Sequence, residues 1–341
     1  MEHFISTFLV TLGTPLVFII AAISLYTLGK GADILVDEAV GISKRLGIPK
    51  AIIGATIVSL GTTLPEASVS VMAAVKGNPD LALGNAVGSI IVDTGLIIGL
   101  AAMIKPIAVD YKSIKFQSWA QILSGALLVF LSLPAISGGV IHQWMGFMLI
   151  GLLTAYLIWS FKQSKKALPV AGNAEGNDAD VEDEDDEESQ NVAWQFILMV
   201  LGIALIILSS KVLIPSVEVI ATRIGIPQSI IAATLVAFGT SLPELTTAIK
   251  AVQRGHGDLA VGNIIGADIL NVLFVVGAAA SFTSTGLVVP AGFYTLQFPT
   301  LLIVLGLFRF MTLNKGKNIS RIEGSFLLIA YGIYLVLNYT L

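Results

Sequence analysis

Residues 54–66, GATIVSLGTTLPE, and 77–99, GNPDLALGNAVGSIIVDTGLIIG, recur as residues 232–244, AATLVAFGTSLPE, and 255–277, GHGDLAVGNIIGADILNVLFVVG. A shift of 178 positions lays one copy on the other without a gap, and residues 46–102 match 224–280 at 25 of 57 positions. Each copy is mostly apolar yet carries a carboxylate directly after a proline, Glu66 after Pro65 and Glu244 after Pro243. A duplicated, proline-broken, acid-bearing segment in a lipid-soluble chain is the mark of a transporter's binding site.

Composition supports the lipid setting. The chain of 341 residues is 55% hydrophobic and only 12% charged, with a mean hydropathy of +0.87. Soluble domains carry roughly twice that share of charge. Ten apolar runs of a length suited to the hydrocarbon core are expected, at about 14–35, 51–75, 81–104, 119–134 and 140–161, then 192–214, 229–251, 259–282, 289–311 and 323–339. The expected fold is therefore an all-α polytopic membrane protein of ten helices. The net charge of −4 comes from one acidic tract between Glu175 and Glu188; outside it the chain is net basic. Cysteine is absent and only His3, His142 and His256 are present, which excludes disulfides and thiolate sites and disfavours zinc. The N-terminus lacks a basic start and a small-residue cleavage pattern, so the first apolar run is expected to remain as a helix.

The domain reading follows. Residues 1–166 form a first transmembrane half, 167–191 an acidic linker expected to be disordered, and 192–341 a second transmembrane half. A calcium-sensing loop at Asp178, Asp180 and Glu182 would need glycine at its sixth position and glutamate at its twelfth, where Asp183 and Ser189 stand. Most Lys and Arg residues, among them Lys44, Arg45, Lys105, Lys162, Lys250, Arg254 and Arg321, fall in connections on the linker's side of the membrane. The opposite side holds Lys76, Lys211 and Arg223, while Lys30 falls within the first span. The excess predicts a cytoplasmic linker with both termini outside. The second copy starts five spans after the first, so the two halves are expected to cross the bilayer in opposite directions.

The repeated residues have a chemistry in common. Pro65 and Pro243 withhold the N–H that the carbonyls of Gly61 and Gly239 would otherwise take. Thr62 and Thr63 lie four and three residues before Glu66, on one helix face, and Thr240 and Ser241 stand likewise before Glu244. In the next span Asn85, Ser89 and Asp93 are spaced by four, and Asn263, Ala267 and Asn271 repeat the spacing. A carboxylate at mid-membrane costs at least about 2.5–3.5 kcal/mol and marks an ion or proton pathway. Carboxylates, hydroxyls and amide oxygens without sulfur or imidazole suit Ca²⁺, Mg²⁺ or Na⁺. Glu66, Glu244 and Asp93 together would neutralise one Ca²⁺ or a few monovalent ions but not both, which gives exchange a physical basis.

At GTTLPE and GTSLPE, each followed by GN-x-x-G, the chain resembles the calcium/cation antiporter superfamily, in its prokaryotic sodium/calcium exchanger branch. The resemblance covers both repeats, the span count and the linker. It implies a diamond of ion sites, Ca²⁺ flanked by Na⁺, with access alternating as the first and sixth helices slide. It implies as ligands Thr62, Thr63, Glu66, Ser89 and Asp93 from the first repeat, and Thr240, Ser241, Glu244 and Asn271 from the second. Main-chain oxygens at Ser59 and Ala237 complete the set. The chain departs from the family pattern in three respects. Asp93 and Asn271 look exchanged, Ala267 replaces a serine, and Asp268 replaces an asparagine and adds an acid that would carry a proton, bind an ion or accept hydrogen bonds.

The function expected is exchange of Ca²⁺ for Na⁺ across the prokaryotic plasma membrane, with H⁺ coupling or another divalent as rivals and a cation channel as a remoter one. No enzymatic nucleophile set, cofactor or nucleic-acid partner is expected; the lipid bilayer, Ca²⁺, and Na⁺ or H⁺ are the partners.

Overall fold

A computed structural model of the chain describes residues 2–166, 192–225, 239–313 and 318–340. The expected linker, and the Ala237 carbonyl, lie outside the described residues. The chain is helical almost throughout: α1 (Glu2–Thr11), α2 (Thr14–Leu46), α3 (Lys50–Thr62), α4 (Leu64–Val75), α5 (Pro79–Ile104), α6 (Tyr111–Ser132), α7 (Gln143–Lys166), α8 (Val192–Arg223), α9 (Leu242–Gln253), α10 (Gly257–Ser281), α11 (Phe293–Thr312) and α12 (Arg321–Thr340). Among the described residues eight helices are long and apolar enough to cross a membrane, and α3 with α4 makes a ninth span bent by 46°. The span expected over 229–251 begins outside the described residues, and its described part is α9.

Element edges differ from expectation for local reasons. α2 runs past position 35 to Leu46 because Val36, Ala39, Val40 and Ile42 keep its buried stripe going after charges appear on the other face. Gly47, at φ 63°, then ends it in the left-handed region that glycine tolerates. α6 starts at Tyr111 because Asp110 caps it, accepting the Lys112 N–H at 3.1 Å and the Ser113 hydroxyl at 2.7 Å. The Ser113 hydrogen bond, foremost, holds the Asp110 carboxyl below its ordinary range. Val140 does not open a span: β1 (Val140–Ile141) pairs antiparallel with β2 (Leu287–Val288), tying together the loops that precede α7 and α11. Pro215 does not end α8: the helix continues to Arg223, and one residue on the Ser216 hydroxyl donates to the Val212 carbonyl at 2.7 Å.

α10 is the most enclosed span and α12 the least, its outer face presenting Ile322, Phe326, Ile329, Ile333 and Val336. In a membrane protein such a face meets lipid. α2 and α8 lie along one another, with Gly31 and Gly202 letting the two backbones touch. Asp33 on α2 pairs with Lys250 at 3.2 Å and Arg254 at 3.0 Å, and Arg254 also binds Asp37, fastening α2 to α9.

The contact that places the repeats is between α3 and α10. A Cβ at Gly54 would stand 2.6 Å from the Leu259 carbonyl, one at Gly266 would stand 2.5 Å from Ser59 Oγ, and one at Gly262 would collide with the Ala51 carbonyl. Gly262 and Gly266 form the small-xxx-small spacing that lets helix backbones meet in lipid. Gly262→Ala is therefore expected to destabilise the protein by about 1–3 kcal/mol through overpacking, read as a lower midpoint of thermal unfolding in detergent. Gly151→Ala, where a Cβ meets nothing within 4 Å, serves as the neutral control.

Candidate ion-binding site

The proline in each repeat sits where a new helix starts. Thr63 stands just before α4, with no capping bond from its side chain, Pro65 occupies the first turn and Glu66 follows in that turn; Ser241, Pro243 and Glu244 repeat the arrangement at the start of α9. Both glutamates thus stand at the positive end of a helix dipole, which favours a charged carboxylate. In the following span each copy loosens into a π-turn, Val92–Ile97 in α5 and Asn271–Val276 in α10, so Asp93 and Asn271 stand at a local widening of the helix. Such turns recur at functional sites because they re-aim side chains that a regular helix would bury in its own groove.

Packing α3, α4, α5, α9 and α10 together brings the acids into one buried group. Glu66 lies in electrostatic reach of Glu244 and Asp93, Asp93 of Glu244 and Asp268, and Asp268 of Glu244. All four are buried. The hydroxyls cross over between repeats: Ser241 faces both Glu66 and Asp93, whereas Thr62 and Thr63 face Glu244. Yet both carboxylate oxygens of Glu66, Asp93 and Glu244 make no completed hydrogen bond, and neither do the Thr63, Ser89 and Ser241 hydroxyls or the Asn263 and Asn271 amides. The ion pairs formed among the described residues are those between α2 and α9, so none neutralises this group. Leaving one buried polar group unmet costs about 1–3 kcal/mol and more for a charged one. A set of this size is untenable as mere core and fits a place where cations are received.

The sequence-derived ligands divide by position. Thr62, Thr63, Glu66, Ser89, Asp93, Ser241, Glu244, Asn271 and Asp268 are all buried in this region, and Thr240 is half-buried at its edge. Thr240 donates to Asn85 Oδ1 at 3.3 Å. The Ser59 carbonyl already accepts the Thr63 N–H at 2.9 Å and the Thr62 hydroxyl at 3.4 Å, so any further role requires the Thr62 hydroxyl to turn away. No three Asp, Glu or His side chains among the described residues are placed to hold one metal ion. An ion shared by Glu66, Glu244 and Asp93 therefore requires a closer arrangement than this one, or ligation by two carboxylates with hydroxyls and main-chain oxygens.

Two features escaped the sequence. Asn85, read there only as part of a polar stripe, donates to the Glu66 carbonyl at 3.2 Å and to Ser70 Oγ at 2.9 Å, and so steadies the first turn of α4. Gln121 of α6, outside both repeats, donates to Asp268 Oδ2 at 2.6 Å. The signal for Gln121 was present in Gln117, Ser118, Gln121 and Ser124, buried polar residues at helical spacing in an apolar span.

Comparison with known proteins bears on the family and the fold. The family model described as "Sodium/calcium exchanger protein" matches residues 16–162 and 194–340. The chain is 32% identical to the inner membrane protein YrbG of Escherichia coli over 91% of this chain and 93% of the relative. It is 34% identical to the putative antiporter CaxA of Alkalimonas amylolytica, over 88% and 91%. Among solved structures, the sodium-calcium exchanger NCX_Mj, soaked with 10 mM Na⁺ and no Ca²⁺, superposes with a TM-score of 0.78 at 26% identity, covering 95% of this chain and 99% of that one.

Asn85→Ala is expected to weaken Ca²⁺ binding by about tenfold or more, the usual effect of losing a group that orients a ligand-bearing segment. Radiolabelled Ca²⁺ binding to purified protein measures it, and an affinity unchanged within twofold would make Asn85 a packing residue only.

Proposed function

The chain belongs to the sodium/calcium exchanger protein family, and we propose that it is a secondary antiporter that moves Ca²⁺ across the prokaryotic plasma membrane in exchange for Na⁺. The observation that carries this reading is the buried group of unmet carboxylates, hydroxyls and amides contributed by both repeats and paired with no basic side chain among the described residues. Such oxygens suit hard cations, and one shared set of carboxylates cannot satisfy Ca²⁺ and several Na⁺ at once. Competition for the same ligands makes exchange, rather than uniport, the natural outcome.

In this reading Thr62, Thr63, Glu66, Ser89 and Asp93 join Thr240, Ser241, Glu244, Asn271 and Asp268 as side-chain ligands, with the main-chain oxygens of Ser59 and Ala237. The chain forms ten spans in two inverted five-helix halves, joined by a cytoplasmic linker with both termini outside. Support comes from element bounds that repeat at the sequence offset, Leu64–Val75 with Leu242–Gln253 and Pro79 with Gly257 at the starts of α5 and α10. The protein carries ions rather than transforming a substrate. Coupling to H⁺ is a second reading, favoured by one observation: Asp268 adds a buried acid beside Ala267, where the first repeat carries the Ser89 hydroxyl.

Flux into proteoliposomes decides between them. Uptake of radiolabelled Ca²⁺ is expected to require internal Na⁺ and to fail with K⁺; uptake driven only by a pH gradient would replace Na⁺ coupling by H⁺ coupling. Glu66→Gln and Glu244→Gln are each expected to abolish Ca²⁺ flux, and near-normal flux in either would remove that residue from the site. Ala267→Ser, which restores a hydroxyl, is expected to lower the Na⁺ concentration needed for half-maximal exchange; an unchanged Na⁺ dependence would place position 267 outside the Na⁺ path.

A further inference from the structure

The two repeats differ in kind at three places that the fold brings together. At the common offset, Asp268 stands where the first half has Ile90, and Thr94 stands where the second half has Val272. Gln121, beyond the repeat core, stands where the same offset gives Pro299. Each polar residue therefore replaces a partner that cannot serve as a side-chain oxygen ligand. The three lie 147 and 174 residues apart along the chain, yet they form one hydrogen-bonded cluster. Thr94 Oγ1 donates to Asp268 Oδ2, and Gln121 Nε2 donates to the same oxygen at 2.6 Å and approaches Thr94 Oγ1 at 3.4 Å. All three side chains are buried. Departures scattered at random through a duplicated chain have no reason to meet.

The cluster is built but unfinished. Two donors fix Asp268 Oδ2, which holds the carboxylate in one orientation, while Asp268 Oδ1 and Gln121 Oε1 are buried with no hydrogen-bond partner. Gln121 Oε1 is an acceptor only, and so is Asp268 Oδ1 when the carboxylate is charged, so neither can then complete the other. What both can bind is a cation. No ion pair among the described residues reaches Asp268. One carboxylate with neutral amide and hydroxyl neighbours balances a single positive charge. Ca²⁺, which takes about 6–8 oxygens and commonly several carboxylates, is poorly matched here and better matched by the neighbouring Glu66 and Glu244.

We propose that Asp268, Gln121 and Thr94 form a monovalent-cation site beside the repeat-built centre, with Asp268 Oδ1 and Gln121 Oε1 as ligands and Gln121 as its selective element. The inference rests on the reading that the adjoining centre receives transported cations. Ala267, the residue before Asp268, leaves the second repeat without the hydroxyl that Ser89 supplies in the first. The neighbouring Glu244 and Asp93 lie within electrostatic reach of Asp268, so a cation held there also acts on the carboxylates of the main centre.

Thermal unfolding of the purified full-length protein in detergent tests it, with NaCl, LiCl and KCl titrated against choline chloride at constant ionic strength and CaCl₂ titrated separately. Wild type is expected to be stabilised by at least one small monovalent ion beyond choline. In Gln121→Leu the midpoint for that ion is expected to rise about tenfold relative to the Ca²⁺ midpoint. Gln121→Glu sets a second carboxylate against Asp268; it is expected to unfold at lower temperature in choline and to be rescued by the monovalent ion. A residue that merely braces Asp268 would show no ion-specific rescue. The proposal is overturned if no monovalent ion exceeds choline in wild type, or if Gln121→Leu moves both midpoints together. Loss of Ca²⁺ stabilisation in wild type would instead sink the reading of the main centre, so the two failures are distinct.

Discussion

Backbone polar groups have no water to turn to within hydrocarbon, and that constraint decides where this chain can break a helix. The breaks before Leu64 and Leu242 put a proline and then a glutamate at the start of a new helix inside the bundle. Such a start leaves first-turn N–H groups and the last carbonyls of the preceding segment in need of partners. It is tolerable only in protein-lined surroundings, and α10 supplies them by lying almost wholly enclosed against α3. The glycines at 54, 262 and 266 bring those backbones together, so the packing of small residues and the position of the acids are one problem with one solution.

The same packing explains why hydroxyls cross over. Ser241 faces the acids of the first repeat and Thr62 and Thr63 face the acid of the second. Each half is thus incomplete without the other: neither copy of the repeat holds both the carboxylate and the hydroxyls that face it. A duplicated segment that packs against its own copy gains a site that a single copy lacks.

Much of this was legible in the chain. The offset of 178 positions, the prolines and the acids are local features, and hydropathy pointed to the eight or nine spans found among the described residues because lipid imposes a length on them. What was not legible depends on partners far apart in sequence. Helical spacing shows that Gln117, Ser118, Gln121 and Ser124 share a face, but not that Asp268 lies opposite. Asn85 was visible as a polar residue in a stripe, while its bond to the Glu66 carbonyl depends on how α4 and α5 meet. Helix ends shifted for a related reason: the stripe of α2 continues to Leu46 because it packs, not because it is uniformly apolar.

Symmetry in the sequence does not make the two ends of the bundle equivalent. Asp33 and Asp37 on α2 hold Lys250 and Arg254 on α9. At the common offset those four positions become Lys211, Pro215, Met72 and Lys76, two cations without an acid, and no ion pair joins them among the described residues. Single exposed ion pairs contribute about 0–1 kcal/mol, but Asp33 and Arg254 each serve two partners and so act as a small network. The network ties α2 to α9, while at the offset positions no ion pair among the described residues ties α8 to α4. The two ends of the bundle are therefore held unequally, and the inequality comes from residues outside the group of buried acids. The repeats supply the buried polar residues in duplicate; the charges around them are not duplicated.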